Sequence, residues 1–284
     1  MIHLLGEAPE ISRGLAKFNL VRLTKSLERS NAFNSQNLAL PNIVAEPFDA
    51  EYPISKLLVT TTEHLVHSTL SKLKPRLNPE STIVLCHKLP GVYPGLRDIW
   101  SEQPPTILEA LPVENQVWYI SGKDPNNSFA QAILNNHNQS WIATWYPFRE
   151  LQLRRLESLA IEACLGPLAK LLECEPTDLA SSQHHGIIKN VLHETCDIIS
   201  AYYKEPELNA NRLFHLLLER AIADHKTSTT PSPMAMSASR SFFINGQIIS
   251  MGKAVNLPYL YNGMLLHLVR SHGSFVNQRS SGSI

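Results

Sequence analysis

The sequence lacks an excess of either charge: Lys and Arg together number 25, and so do Asp and Glu. A balanced chain is not built for wholesale electrostatic binding to nucleic acid, which leaves only local basic patches as a route to it. Cysteine is scarce. The four present, Cys86, Cys164, Cys174 and Cys196, show no close CxxC pairing, so buried thiols in a reducing compartment are expected in place of disulfides or a zinc site. No apolar run approaches the roughly 20 residues needed to span a bilayer, and there is no secretory h-region. Arg13, Lys17, Arg22, Lys25 and Arg29 give the N-terminus a positive bias suited to a mitochondrial matrix signal, which Glu7, Glu10 and Glu28 dilute. The same segment contains the first expected strand, so a targeting signal is expected to be retained or to lie elsewhere.

What is present organises around Leu151–Cys174. Its apolar residues fall at Leu156, Leu159, Ala160, Ala163, Cys164, Pro167, Leu168, Leu171 and Leu172, the spacing of one helix face. Pro167 has no N–H for the carbonyl of Ala163, and its ring crowds that turn, so a kinked, deeply packed helix is expected. Before it, strands are expected at Ile2–Leu5, Leu20–Leu23, Leu57–Thr61, Thr82–Cys86 and Val117–Ile120. Helices are expected at Ile11–Phe18, after Thr61 with Leu65, Leu70 and Leu73 facing inward, and at Ser128–Leu134. Ser30–Pro53, rich in Asn and Ser, reads mainly as loop. Alternating strands and helices imply a parallel, doubly wound sheet. After the joint the chain reads as helical near Gly186–Tyr203, Leu208–Asp224, Phe242–Ala254 and Tyr259–Val269, and the small polar residues from Ser274 as a fraying tail. The expected organisation is a sheet domain over 1–146, a helical domain over 147–272 and a flexible tail over 273–284.

A dinucleotide-binding turn needs glycines at three positions after the first strand. Counting from Gly6, the second and third are Ala8 and Ile11, Pro9 removes an N–H, and Glu7 and Glu10 bring negative charge. No bound cofactor is expected from such a turn. Arg22 could meet a ribose phosphate but reads first as an ordinary surface residue. His184-His185 lacks a neighbouring carboxylate or cysteine partner, so no metal site is expected. Two basic clusters, Lys72, Lys74 and Arg76, and Arg149, Arg154 and Arg155, are the candidate RNA or partner contacts. Phe242, Phe243 and Leu257–Leu268 read first as core and second as a face for another protein.

The strand and helix over Leu57–Pro75, a strand ending in His87-x-x-x-Gly91, the helix with Pro167-Leu168 and a later Ile244-Asn245-Gly246 resemble, in their order, the ketopantoate reductases. The resemblance implies an α/β plus all-α fold: a reduced Rossmann-like parallel sheet domain, with elements lost between Gly91 and the joint, followed by a helical domain. It places a catalytic lysine and two asparagines where this chain has Ser158, Glu162 and Gly166. It also places Lys88 where the family has asparagine, Arg240 where it has an acid, and Ser228 at a substrate-binding serine. The catalytic set is therefore expected to be absent. Leu156–Cys174 and Phe242–Lys253 further resemble the fungal mitochondrial translational activators of cytochrome b messenger RNA, a non-catalytic branch of that fold. This second resemblance implies a matrix protein, without cofactor, that links the cytochrome b mRNA leader to the mitochondrial ribosome. It also implies a second activator protein as partner and association with the inner-membrane surface. The alternative is a divergent NADPH-dependent 2-dehydropantoate 2-reductase.

Overall fold

A computed structural model describes residues 2–5, 20–24, 43–47, 50–61, 63–87, 90, 96, 99–100, 103–112, 117–135, 142–204, 208–226 and 238–281. The expected helix at Ile11–Phe18, the turn at Gly6, Ala8 and Ile11, Lys88, Gly91 and Ser228 lie outside them, as do the side chains of Arg22, Arg240 and Phe242. The chain divides into two compact units, Met1–Arg155 and Leu156–Ile284.

Among the described residues the first unit is built on an eight-stranded sheet: β1 (Ile2–Leu5), β2 (Leu20–Thr24), β3 (Ile43–Pro47), β4 (Lys56–Val59), β5 (Thr82–Cys86), β6 (Thr106–Pro112), β7 (Val117–Ser121) and β8 (Ile142–Trp145). Their order is β3-β2-β1-β4-β5-β6-β7-β8. Every neighbouring pair is parallel except β6 with β7. The central strands are apolar on both faces because helices cover both. Leu4, Leu58 and Val84 join Phe129, Ala130 and Ile133 of α2 (Ser128–Leu134) in one core layer. Their neighbours Leu5, Leu57, Val59, Ile83 and Leu85 join Val66, Leu70 and Leu73 of α1 (Glu63–Leu73) in the other. Alternation by two along each strand thus fills two layers from one continuous apolar run.

The expected sheet needs three corrections. β3 forms inside the span read as loop, where Ile43-Val44-Ala45 pairs with Leu20-Val21-Arg22; the Asn/Ser composition around it masked a short strand that sheet pairing stabilises. The span after Gly91 supplies β6 and β8 in addition to the expected strand at Val117–Ile120, which is part of β7. Leu65 points outward, 45% exposed, and Val66 takes the inward position with Leu70 and Leu73. Positions i, i+4 and i+7 close the helix face better than the expected set.

α3 (Phe148–Leu172) continues through Pro167, and the division between units falls inside it. The second unit adds α4 (Pro176–Leu179), α5 (His185–Tyr203), α6 (Ala210–Lys226), α7 (Ala238–Val255) and α8 (Leu260–Ser281). α5 is its centre, packing against α6, α7 and α8 through Ile188, Val191, Leu192, Cys196, Ile198 and Ile199. Gly252 of α7 lets this packing close: an added Cβ there would meet Ile198 at 3.3 Å and Tyr259 at 3.2 Å. α8 runs on to Ser281, across most of the span read as a flexible tail. Extending a formed helix adds a backbone bond per residue without a new nucleation cost, and Ser, Asn and Gln oppose it only weakly. On α8 the core reading holds for Leu265 and Val269, while Leu260, Met264 and Leu268 are exposed on another face. No helix among the described residues is long and apolar enough to cross a membrane.

Candidate functional site

The order reversal between β1 and β4 marks the crevice where open α/β sheets bind ligands, beyond the carboxyl ends of the strands. Here the chain bonds to itself. The Thr60 N–H and hydroxyl both donate to the Leu5 carbonyl, at 2.8 and 3.1 Å. His87, buried past the end of β5, donates from Nε2 to the Thr61 carbonyl at 2.7 Å. A carbonyl can only accept, so this bond places the imidazole proton on Nε2. Cys86, just before it, has its thiol pushed far up by burial, against the pull of Arg155, and stays neutral.

Among the described residues, the most deeply buried charges of the sheet unit lie where β6 meets the first turns of α3. Glu109 and Arg155 form an ion pair with side chains 3% and 4% exposed. Gln152 also donates to Glu109, and Arg155 Nη2 donates to the Ala110 carbonyl at 3.3 Å. Burial raises the Glu109 carboxyl above its ordinary 4.5, with Arg155 and the Gln152 bond opposing. Both expected basic clusters therefore lose their third member. Arg155 is spent on Glu109, and Arg76 is buried with its Nε donating to the Tyr52 carbonyl at 2.8 Å. The reason is local: an arginine that must leave solvent is held by matching acceptors. Lys72, Lys74, Arg149 and Arg154 remain exposed. Arg154 donates from Nε to the Tyr146 hydroxyl at 3.3 Å, beside a stack of Tyr119 on Tyr146 with centroids 4.2 Å apart and planes 11° apart. Its guanidinium lies 5.4 and 5.5 Å from the two centroids. Both distances are within cation–π range, so the guanidinium lies against the stack as well as on the Tyr146 hydroxyl.

In the helical unit, Ser158 and Gly166 are buried and Glu162 is half-buried, and their i, i+4, i+8 spacing gives them one face of α3. Their neighbour Ala163 carries the carbonyl that Pro167 leaves without its helical donor. Asn245 of α7 supplies it: Nδ2 donates to the Ala163 carbonyl at 2.9 Å and to Asn262 Oδ1 at 3.0 Å. Asn262 in turn donates from Nδ2 to Glu194 Oε1 and Thr195 Oγ1, both at 2.9 Å. The Glu194 carboxylate accepts the backbone N–H groups of Tyr261 and Asn262 at 2.9 and 2.8 Å, closing the first turn of α8. Four helices thus meet on one buried amide network, and all four amide hydrogens of the two asparagines are used. The proline and the asparagine, 78 positions apart in the chain, are two halves of one structural device.

Of the sequence candidates, the structure brings Arg154 and Arg155 to the same helix turn in different roles. Glu109, Gln152, Glu194 and Asn262 went unread. Glu109 lies in a strand that was itself missed, and Glu194 and Asn262 have no sequence signal until α5 and α8 are packed. His184 and His185 do not converge on an acid: His185 meets the Ala180 carbonyl at 3.0 Å, and His184 meets Gln183 at 3.0 Å. Among the described residues no group of three or more His, Cys, Asp or Glu side chains could hold a metal ion.

A mostly parallel sheet with helices on both faces, followed by a helical unit, defines the class: a Rossmann-like domain joined to an α-helical domain. Residues 150–273 match the family model described as ketopantoate reductase PanE/ApbA C terminal. Over nearly its whole length the fold is similar to that of D-mandelate dehydrogenase, solved with NADH and anilino(oxo)acetate. That match has a TM-score of 0.77 at 12% identity and covers 97% of this chain and 99% of that one. It is also similar to the 2-dehydropantoate 2-reductase of Geobacter metallireducens, with a TM-score of 0.71, 13% identity and coverage of 95% and 99%. The enzyme of that name from Methylococcus capsulatus gives 0.67, 13%, 100% and 98%. No curated protein sequence matches significantly. The chain is ketopantoate-reductase-like, in sequence over its helical unit and in fold over both units.

Proposed function

We propose that this chain is a non-catalytic mitochondrial protein that promotes expression of cytochrome b. In this reading it links the leader of the cytochrome b mRNA to the mitochondrial ribosome, working with a second activator protein at the matrix face of the inner membrane. One observation carries the non-catalytic part. The helix with Pro167-Leu168 is kept, and the positions that would present the lysine and two asparagines read Ser158, Glu162 and Gly166. A serine hydroxyl does not protonate a nascent alkoxide as an ammonium does, and glycine offers no side chain at all. Retention of Pro167 and Asn245 does not argue for activity, because their bonding is architectural. The expression role rests on the resemblance of Leu156–Cys174 and Phe242–Lys253 to the activators. Labelling of mitochondrial translation products in a deletion strain tests it: cytochrome b synthesis is lost while other products persist. Normal synthesis ends the proposal.

The comparisons with known proteins favour a second reading over this one, because the family model and the named neighbours are reductases and dehydrogenases. It is a nicotinamide-dependent reductase acting on a small 2-keto acid. The residues that would face the cofactor phosphates, after β1, lie outside the described residues. Fold alone does not carry an activity across such low identity. Titration of the purified chain with NADPH, followed by assay with ketopantoate, separates the readings. Saturable binding with turnover establishes the reductase, and absence of both removes it.

A further inference from the structure

The expected basic clusters give up Arg76 and Arg155 to the interior, and Arg149 and Arg154 remain on a strip where exposed cations adjoin a stacked pair of aromatic rings. It runs along the sheet edge from β8 into the start of α3. We propose that this strip, with Tyr119, Thr144, Tyr146, Phe148, Arg149 and Arg154, is a binding surface for single-stranded RNA. The proposal rests on the activator reading and names the surface through which RNA would be held.

The geometry supplies a preformed platform. Tyr119 stands opposite Thr144 in the β7–β8 register, and the Tyr146 N–H donates to the Ile120 carbonyl at 2.8 Å, so the ladder fixes both rings. Their stack at 4.2 Å and 11° has base-stacking geometry, and an unpaired base can extend it without first ordering the side chains. Arg154 is exposed and lies against the stack, on the Tyr146 hydroxyl, so a cation sits beside the rings on which a base would stack, where it can meet the phosphate of the same strand. Arg149 is exposed on the same helix start, and Phe148 and Ile142 are 46% and 45% exposed, an apolar border next to the cations. Glu150 is the one acid in the segment from Ile142 to Arg155. Duplex bases are already stacked on each other, so a surface of ring faces selects single strands.

The test uses the full purified chain and a fluorescein-labelled oligouridylate of about 12 nucleotides, a length within the site size of single-strand binders. Anisotropy is expected to show binding that weakens as salt rises. Tyr119→Ala and Tyr146→Ala are expected to weaken it about tenfold to a hundredfold each, while Tyr119→Phe, which keeps the ring, retains it. Arg154→Gln is expected to lower affinity and reduce the salt slope by about one, and the paired Lys72→Ala, Lys74→Ala variant to change affinity less than either tyrosine change. Circular dichroism melts confirm that each variant is folded. RNA binding that is indifferent to the tyrosines and Arg154 overturns the strip and leaves the activator reading standing. Absence of RNA binding, or photo-crosslinks from 142–155 to protein alone, overturns the proposal in favour of a protein-docking face. Cytochrome b labelling in the deletion strain reports on the activator reading separately.

Discussion

Each unit buries a polar network, and the two are made from different chemistry. In the sheet unit it is ionic, Glu109 with Arg155, and burial works against it by raising the Glu109 carboxyl. In the helical unit the core is the amide pair Asn245 and Asn262, spanning from the Ala163 carbonyl to Glu194. Buried ions gain little net stability but leave a large penalty when one partner is removed. Buried amides cost less to desolvate and repair what a backbone cannot supply for itself. The ionic pair is an anchor for the first turns of α3 inside the sheet unit, and the amide network is a repair of the turn that Pro167 breaks.

The largest expected effect follows from the ionic side. Arg155→Ala leaves Glu109 buried without its cation and is expected to cost about 3–5 kcal/mol, measured by urea unfolding. Arg155→Met combined with Glu109→Leu is expected to return most of that loss. If the single change costs no more than a surface substitution, the contrast between the two networks fails. Asn245→Ala comes next, at about 2–3 kcal/mol, since it strips two buried acceptors of their donor. Pro167→Ala in that background restores an N–H aimed at the Ala163 carbonyl, and the coupling between the two sites is expected to be about 1 kcal/mol. Additive behaviour in this cycle would mean that Asn245 does not stand in for the missing helical bond.

Acid titration sharpens the same comparison. Because the Glu109 pKa is raised above 4.5, between that value and its folded pKa the folded chain holds a proton that the unfolded chain has released. Its contribution to stability is fully present below 4.5 and is lost as pH rises through the folded pKa. Glu109→Gln should therefore flatten the fall of the urea midpoint across that window, whereas Asn245→Ala should shift the midpoint without altering the slope. The smallest effect is expected at the surface. Lys204 ends α5 with φ 58°, and Lys204→Gly is expected to stabilise by about 0.5 kcal/mol in thermal melts.

Much of this was legible from residue order. The apolar strands at Leu57–Val59 and Thr82–Cys86 and the helix Phe148–Leu172 are where they were expected, because continuous apolar runs and long helical patterns leave few alternatives. β3, β6 and β8 were not. β3 and β8 are short, and β6, although seven residues long, follows Pro104-Pro105 and ends in Pro112; each lies in or beside a polar, proline-bearing or turn-rich stretch, and pairing with a neighbour makes it a strand. The basic clusters show the same limit for the candidate site. Arg154 and Arg155 are adjacent and identical in type, yet one is exposed beside a tyrosine stack and the other is 4% exposed against Glu109. A helix turns 100° per residue, so neighbours in sequence face different environments.

By itself the sequence determined the division into a sheet half and a helical half, the packed helix carrying Pro167 and the identity of the residues Ser158, Glu162 and Gly166 on it. Those depend on local periodicity and on residue identity, which need no partner. Tertiary structure alone decided which cations stay at the surface, that Asn245 answers the carbonyl vacated at Ala163, and that Tyr119 and Tyr146 stack beside Arg154. The partners Arg76 and Tyr52, Tyr119 and Tyr146, Arg155 and Glu109, and Asn245 and Ala163 lie 24, 27, 46 and 82 positions apart. Long-range bonds of this kind carry no local signature, because each depends on where the rest of the chain has already placed its partner.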